Sequence, residues 1–401
     1  VTRPSPESAG PITSSSNTPS SNTRASAKRP YLFQVDLIRA TTFALVIFTH
    51  ALTQTTDAFS NIGTNATTLL LHASRNIFFA LTGFVLMYQY AGRDDFRAGW
   101  FWRRRMKLVI VPYILWSAVY WVVIGMWSYG RLGDVPTSLD EFWNQLKWGT
   151  AGFHLYFLLV MLQVYLLFPA IRWLVQKTKG HHGALLAASF ALQIAVFAVI
   201  TYWTPPESWA GWWWHHYATF VPYQFFIVAG AVAAVHREQV DAWIRGRGGW
   251  LAAGLVGTGA FAVGVYLYEA FVSGKVFSHD SAFAVTLLPF LVFAVLTIYA
   301  MGLHWATHVR PYSPRFGKAV AYASNRSFPV FLVHVLVLFL LLRPETDGAP
   351  TIVHALGQPW GTLVVYLLTI ALSLGLVEVL RRLPGSVYLT GRPRLPLRWQ
   401  I

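Results

Sequence analysis

This sequence predicts an all-α integral membrane protein, a bundle of about ten transmembrane helices with the N- and C-termini cytoplasmic, and three observations predict it. Only 12% of the 401 residues are charged and 55% are hydrophobic, whereas soluble domains carry about 25% charged residues. Apolar runs long enough to cross a hydrocarbon core of about 30 Å recur along the chain. The 31 lysines and arginines gather in alternate connecting segments, as the cytoplasmic preference of basic loops requires. The +15 net charge therefore reads as topology, with nucleic-acid binding a poor alternative.

In chain order, residues 1–30 are dominated by Ser, Thr, Pro and Asn. They have almost nothing to bury and are expected to form a disordered cytoplasmic tail. No apolar signal-peptide core lies within them, and Lys28 and Arg29 would hold this end inside. Apolar runs follow near 33–56, 66–90, 106–126, 153–171, 183–203, 218–235, 250–271, 281–301, 320–342 and 359–380. The transmembrane domain is thus expected at 31–382, with a basic cytoplasmic tail at 383–401. With Lys107 and Arg326, at the inner ends of their spans, counted with the adjoining inner segments, 25 basic residues fall inside and 4 in outer segments, leaving Arg39 and Arg75 within spans.

The first span, YLFQVDLIRATTFALVIFTHALTQTT, carries Asp36, Arg39 and His50. Eleven helical steps of about 100° overshoot three turns by only about 20°, so Arg39 and His50 share a face, roughly 16 Å apart along the axis. Asp36, three residues before Arg39, falls on that face as its simplest counter-ion. Ionisable groups inside a bilayer are costly and mark functional sites. The alternative is a buried ion pair or hydrogen bond that holds two helices together. His72 and Arg75 form a second polar pair three residues apart, either structural or part of a site.

After the second span, RDDFRAGWFWRRRMK sets Arg103, Arg104 and Arg105 beside Trp100 and Trp102. This is either a topological anchor with interfacial aromatics or a seat for a polyanion such as a nucleotide phosphate. At the outer face, 127–152 has room for a short amphipathic helix, and TPPESWAGWWWHHYAT reads as an interfacial aromatic belt. Histidines 181, 182, 236, 304, 308, 215, 216, 279 and 354 fall in loops and read as solvated. His50, His72, His154 and His334 lie in or at the ends of spans. No pair of these four has the helical spacing of a metal site, so no metal is expected. Without cysteine the chain has no thiolate nucleophile and no disulfide.

Asp36-Leu37-Ile38-Arg39, ten residues and His50 resemble the Arg-X10-His signature of the membrane-bound acyltransferase family 3, which O-acylates extracytoplasmic sugars. FFALTGFVLMY (78–88) is similar to that family's FF-x-x-SGF block, with Thr82 where Ser is usual. RRRMKLVIVPY (103–113), HLYFLLVMLQVYLLFP (154–169) and NRSFPVFLVHVLVL (325–338) follow in the family's order, so the resemblance covers about 33–380. It implies an enzyme that moves an acyl group, acetyl first, from acyl-CoA to a carbohydrate or glycosylated acceptor, at a multi-pass site in the bacterial cytoplasmic membrane.

Acyl transfer to a hydroxyl needs a base, an oxyanion stabiliser and a hold on the donor. His50 is the expected general base on the outer side. Arg39, with Asp36, serves the donor nearer the cytoplasm, and Arg103, Arg104 or Arg105 anchors its nucleotide. His154, Thr82, His72, Arg75 and His334 are expected as substrate-contacting or supporting residues. For Thr82, next to Gly83, close helix packing is the favoured role. The competing reading from another class is a proton-linked secondary transporter or flippase, for which buried Asp, Arg and His would also serve.

Overall fold

The apolar runs become helices and the polar breaks become turns in the computed structural model, which describes residues 30–57, 59–128, 138–278, 281–342 and 351–396. The helices are α1 Phe33–Thr55, α2 Ile62–Leu71, α3 Ala73–Tyr90, α4 Ala98–Ser128, α5 Leu139–Trp148, α6 Tyr156–Lys177, α7 His182–Tyr202 and α8 Ala210–Trp213. They continue as α9 Gln224–Val235, α10 Arg237–Ile244, α11 Gly248–Val272, α12 Leu288–His304, α13 Pro314–Leu341, α14 Ile352–Leu356, α15 Trp360–Leu380 and α16 Ser386–Thr390. Among the described residues there is no strand. The expected tail at 1–30 lies outside them apart from Pro30, as do Arg131, His279 and Arg343 of the outer segments.

Among the described residues, nine segments are long and apolar enough to cross a bilayer, and α2 with α3 counts as one of them, Ile62–Tyr90. The chain is a multi-pass membrane protein. The tenth expected span, 218–235, is shorter: its apolar helix is Val221–Val235. Fifteen residues reach only about 22 Å. Phe226, Ile227, Val228, Ala231 and Val232 of α9 are all buried, so this helix is surrounded largely by protein rather than lipid.

Two glycines set that packing. A Cβ on Gly83 of α3 would fall 2.1 Å from the carbonyl oxygen of Ile227, and one on Gly230 of α9 would fall 1.9 Å from that of Ala80. Without side chains at these positions the two backbones touch, the usual route to tight association where water supplies no drive.

At the α15 end, Glu378 accepts from Arg326 Nε at 2.7 Å, Arg382 Nη1 at 2.6 Å and Tyr322 Oη at 3.0 Å. Residues of the expected basic tail are docked: Trp116 Nε1 donates to the Leu389 carbonyl at 2.9 Å, and Leu395 N donates to that of Arg381 at 2.7 Å. The short amphipathic helix expected in 127–152 is α5. Ser138 Oγ accepts from Glu141 N at 3.2 Å at its start, and Gly149 in left-handed conformation ends it.

Two loop histidines depart from the sequence reading. His182 is buried, and its Nδ1 lies 2.6 Å from His236 Nε2 while its Nε2 lies 2.8 Å from the Val175 carbonyl. Because a carbonyl only accepts, His182 carries its proton on Nε2, and His236 donates to Nδ1. The pair clips the ends of α6, α7 and α9 together. Fifty-four residues separate the two, so no local spacing announces it.

Candidate active site at the ends of the first helix

Threonine makes α1 compatible with both lipid and polar cargo. Thr42 Oγ1 donates to the Ile38 carbonyl at 2.6 Å, and Thr49 Oγ1 donates to that of Leu45 at 2.9 Å, so these hydroxyls are satisfied inside their own helix. The face between them keeps Arg39 and His50.

Around His50 lies a cavity of about 100 Å³, lined by His72, Arg75, His154 and Tyr156 among others, with Phe43, Phe78, Phe157 and Phe331 as apolar wall. His72 sits at the break between α2 and α3, which turns both it and Arg75 toward this space. The His50 ring stacks on His334 at 5.4 Å between centroids and packs against Phe153 at 4.7 Å. His154 meets His334 at 5.0 Å. His334 and His154 are 0% and 2% exposed, whereas His50 is only partly buried. Of the three clustered rings, His50 is therefore the one open enough for a substrate to reach.

His334 Nδ1 donates to the Phe331 carbonyl at 2.7 Å, which leaves the basic lone pair of the neutral ring on Nε2. That Nε2 and both nitrogens of His154 have no hydrogen-bond partner among the described residues. No group of three His, Asp or Glu residues is placed to hold a metal ion among the described residues.

Tyr120, absent from the sequence-based set, holds this cluster. Its fully buried hydroxyl donates to the Leu332 carbonyl at 2.8 Å and accepts from Leu336 N at 3.1 Å. Those are the two groups that an unbroken helix would join to each other. The phenol is thus spliced into the α13 ladder on either side of His334, five residues after Pro329, which itself lacks an amide proton. Its ring lies 5.0 Å from His154.

At the opposite end of α1, Asp36 and Arg39 are joined through α13: Ser324 Oγ donates to Asp36 Oδ1 at 2.7 Å and accepts from Arg39 Nη1 at 3.5 Å. Asp36 is buried. Arg392, beyond α16, has a pKa drawn below the ordinary guanidinium value by burial and then by Arg39 and Arg381, with Arg105 contributing less. Arg39, Arg381 and Arg105 therefore each stand within electrostatic reach of Arg392. Arg392 falls within the expected basic tail.

The three consecutive arginines separate, because adjacent residues step about 100° around a helix. Arg103 lines a groove of about 570 Å³ with Arg93, Arg97, Trp100 and Phe96. Arg104 lies over Trp100 at 5.1 Å. Arg105 donates to Gln89 Oε1 and lies within electrostatic reach of Arg392. Thr82 is not in the cavity: its hydroxyl donates to the Phe78 carbonyl at 2.9 Å and lies 3.7 Å from Met161 Sδ, beside the Gly83 contact.

A membrane helix bundle with a histidine-lined cavity at one end of a helix and clustered arginines at the other fits a membrane acyltransferase, and the comparison with known families agrees. The family model described as an acyltransferase domain matches residues 32–378. The chain belongs to acyltransferase family 3. No curated protein and no solved structure matches it.

Proposed function

We propose that this membrane acyltransferase transfers a short acyl group, acetyl first, from cytoplasmic acyl-CoA to a hydroxyl of an extracytoplasmic carbohydrate or glycosylated acceptor, with His50 as general base. The observation that carries the proposal is the pairing on α1. One end carries Arg39, tied to Ser324 and within electrostatic reach of Arg392, and the other opens into the cavity around His50. The spacing of roughly 16 Å is comparable to an extended pantetheine arm. A donor whose phosphates rest on the arginines would thus present its thioester to the imidazole.

Donor binding falls to Arg39, held by Ser324 and Asp36, and to Arg105; of the other two expected anchors, Arg103 lines its separate aromatic groove and Arg104 lies over Trp100. The cavity of about 100 Å³ is smaller than the ~150 Å³ that admits benzene, which favours acetyl over long chains. The site belongs in the bacterial cytoplasmic membrane with both chain ends inside, the arrangement the basic residues favour.

Purified protein in detergent, given labelled acetyl-CoA and methyl β-glucoside at high concentration, should release CoA thiol and form the acetyl ester. Absence of both products with acetyl-, propionyl- and butyryl-CoA would sink the proposal and favour a transporter. Arg39→Met removes a charge-assisted contact worth about 1.5–3 kcal/mol, so the KM for acetyl-CoA should rise about 10- to 100-fold. An unchanged donor KM would remove Arg39 from the donor site.

Tyr120→Phe lets Leu332 and Leu336 bond each other directly, so the thermal midpoint should move little. The His334 register should change, and kcat should fall by roughly tenfold, a barrier increase of about 1.4 kcal/mol. A parallel loss of stability and activity would instead make Tyr120 purely structural.

A further inference from the structure

Arg75 brings a permanent charge to the lining of the His50 cavity. One donor is engaged, with Nη1 donating to Tyr156 Oη at 3.3 Å. Rings fix the group in place: Cζ lies 4.9 Å from the Phe283 centroid and 5.9 Å from that of Tyr223. Nε and Nη2 are shut off from solvent and have no hydrogen-bond partner among the described residues. Nor does any carboxylate form an ion pair with Arg75 among the ion pairs of the described residues.

Those two nitrogens form one edge of the guanidinium, the side-by-side pair that grips an oxygen anion. A fixed cation with two unpaired nitrogens, bordering a phenylalanine-walled cavity, is costly in a resting fold. It is what stabilises charge that appears during a reaction, since no reorganisation is then needed.

We propose that Arg75 is the oxyanion-stabilising residue of the acyl transfer, its guanidinium charge facing the negative oxygen that forms on the acyl carbonyl; this rests on the acyl-transfer reading of the cavity. The acceptor oxygen bonds to the thioester carbon while its proton passes to the His50 imidazole. The carbonyl electron pair moves onto the oxygen facing the Arg75 guanidinium. It then re-forms the carbonyl as the carbon–sulfur bond breaks, and the departing thiolate takes the proton from the His50 imidazolium. Products are the ester and the CoA thiol. Tyr156, Phe283 and Tyr223 act only by positioning the guanidinium.

The test is steady-state kinetics of Arg75→Gln and Arg75→Lys in detergent, with acetyl-CoA as donor and neutral methyl β-glucoside or anionic methyl β-glucuronide as acceptor. Arg75→Gln should lower kcat by about 10²–10³-fold equally for both acceptors, with each KM within about threefold of wild type. Arg75→Lys, which keeps the charge without the two-pronged edge, should recover part of the loss. A kcat within twofold of wild type overturns the proposal. So does a loss confined to the KM of the glucuronide, which would make Arg75 an anchor for an acceptor charge. If Arg75→Gln does not fold, by thermal midpoint, Arg75→Lys carries the test alone, and a kcat within twofold of wild type again overturns it. A wild-type protein inactive with every acyl-CoA overturns the acyl-transfer reading instead, whereas an active wild type with active variants overturns Arg75 alone.

Discussion

His50→Ala should lower acyl transfer by about 10²–10⁴-fold, the usual worth of a positioned general base, in a protein that remains folded. The geometry separates His50 from its neighbours. His154 and His334 are closed off in the core, and the Nδ1 proton of His334 is committed to Phe331. His50 is partly open and borders the cavity. The ring it loses packs on Phe153 and His334, contacts that a methyl group cannot replace, so the thermal midpoint should drop modestly. His50→Gln, closer in size, separates that packing loss from the chemistry. Activity within a few-fold of wild type in both variants would transfer the role of base to another residue.

Gly230→Ala should be the most damaging single methyl group in the bundle. Its Cβ would stand 1.9 Å from the Ala80 carbonyl oxygen, and no side-chain rotation relieves a clash with backbone. Ordinary contact begins near 3.4 Å, so α3 and α9 must part by roughly 1.5 Å along their closest line. Overpacking of this kind costs about 1–3 kcal/mol and occasionally more. α3 also carries Arg75 and Phe78 into the cavity, so activity should fall with stability. Gly257→Ala is the control, because no heavy atom lies within 4 Å of a Cβ built there. Equal melting temperatures for the two variants in detergent would show that the α3–α9 contact is not the seam described.

Hydropathy read the spans well because burial in lipid is a property of each segment alone. It misjudged only the length of the 218–235 span, which α9 shortens because protein, not hydrocarbon, surrounds it. The same-face placement of Arg39 and His50 was legible for the same reason: it needs one helix and arithmetic. Ser324, Tyr120 and Arg392 were not legible, since each reaches its partner from far along the chain and no period links them. His72 and Arg75 were visible as a pair, but not the turn at His72 that aims them. The arginine triplet misled in the opposite direction, because adjacency in sequence is divergence on a helix.

The Tyr120 splice gives the amide of Leu336 an unusual guardian. In an ordinary helix, exchange of an amide proton with solvent reports how readily its own turn frays. Here the acceptor of that proton belongs to another helix. Its exchange rate therefore reads the docking of α4 on α13, one amide serving as a gauge of whether the wall behind the histidines is seated.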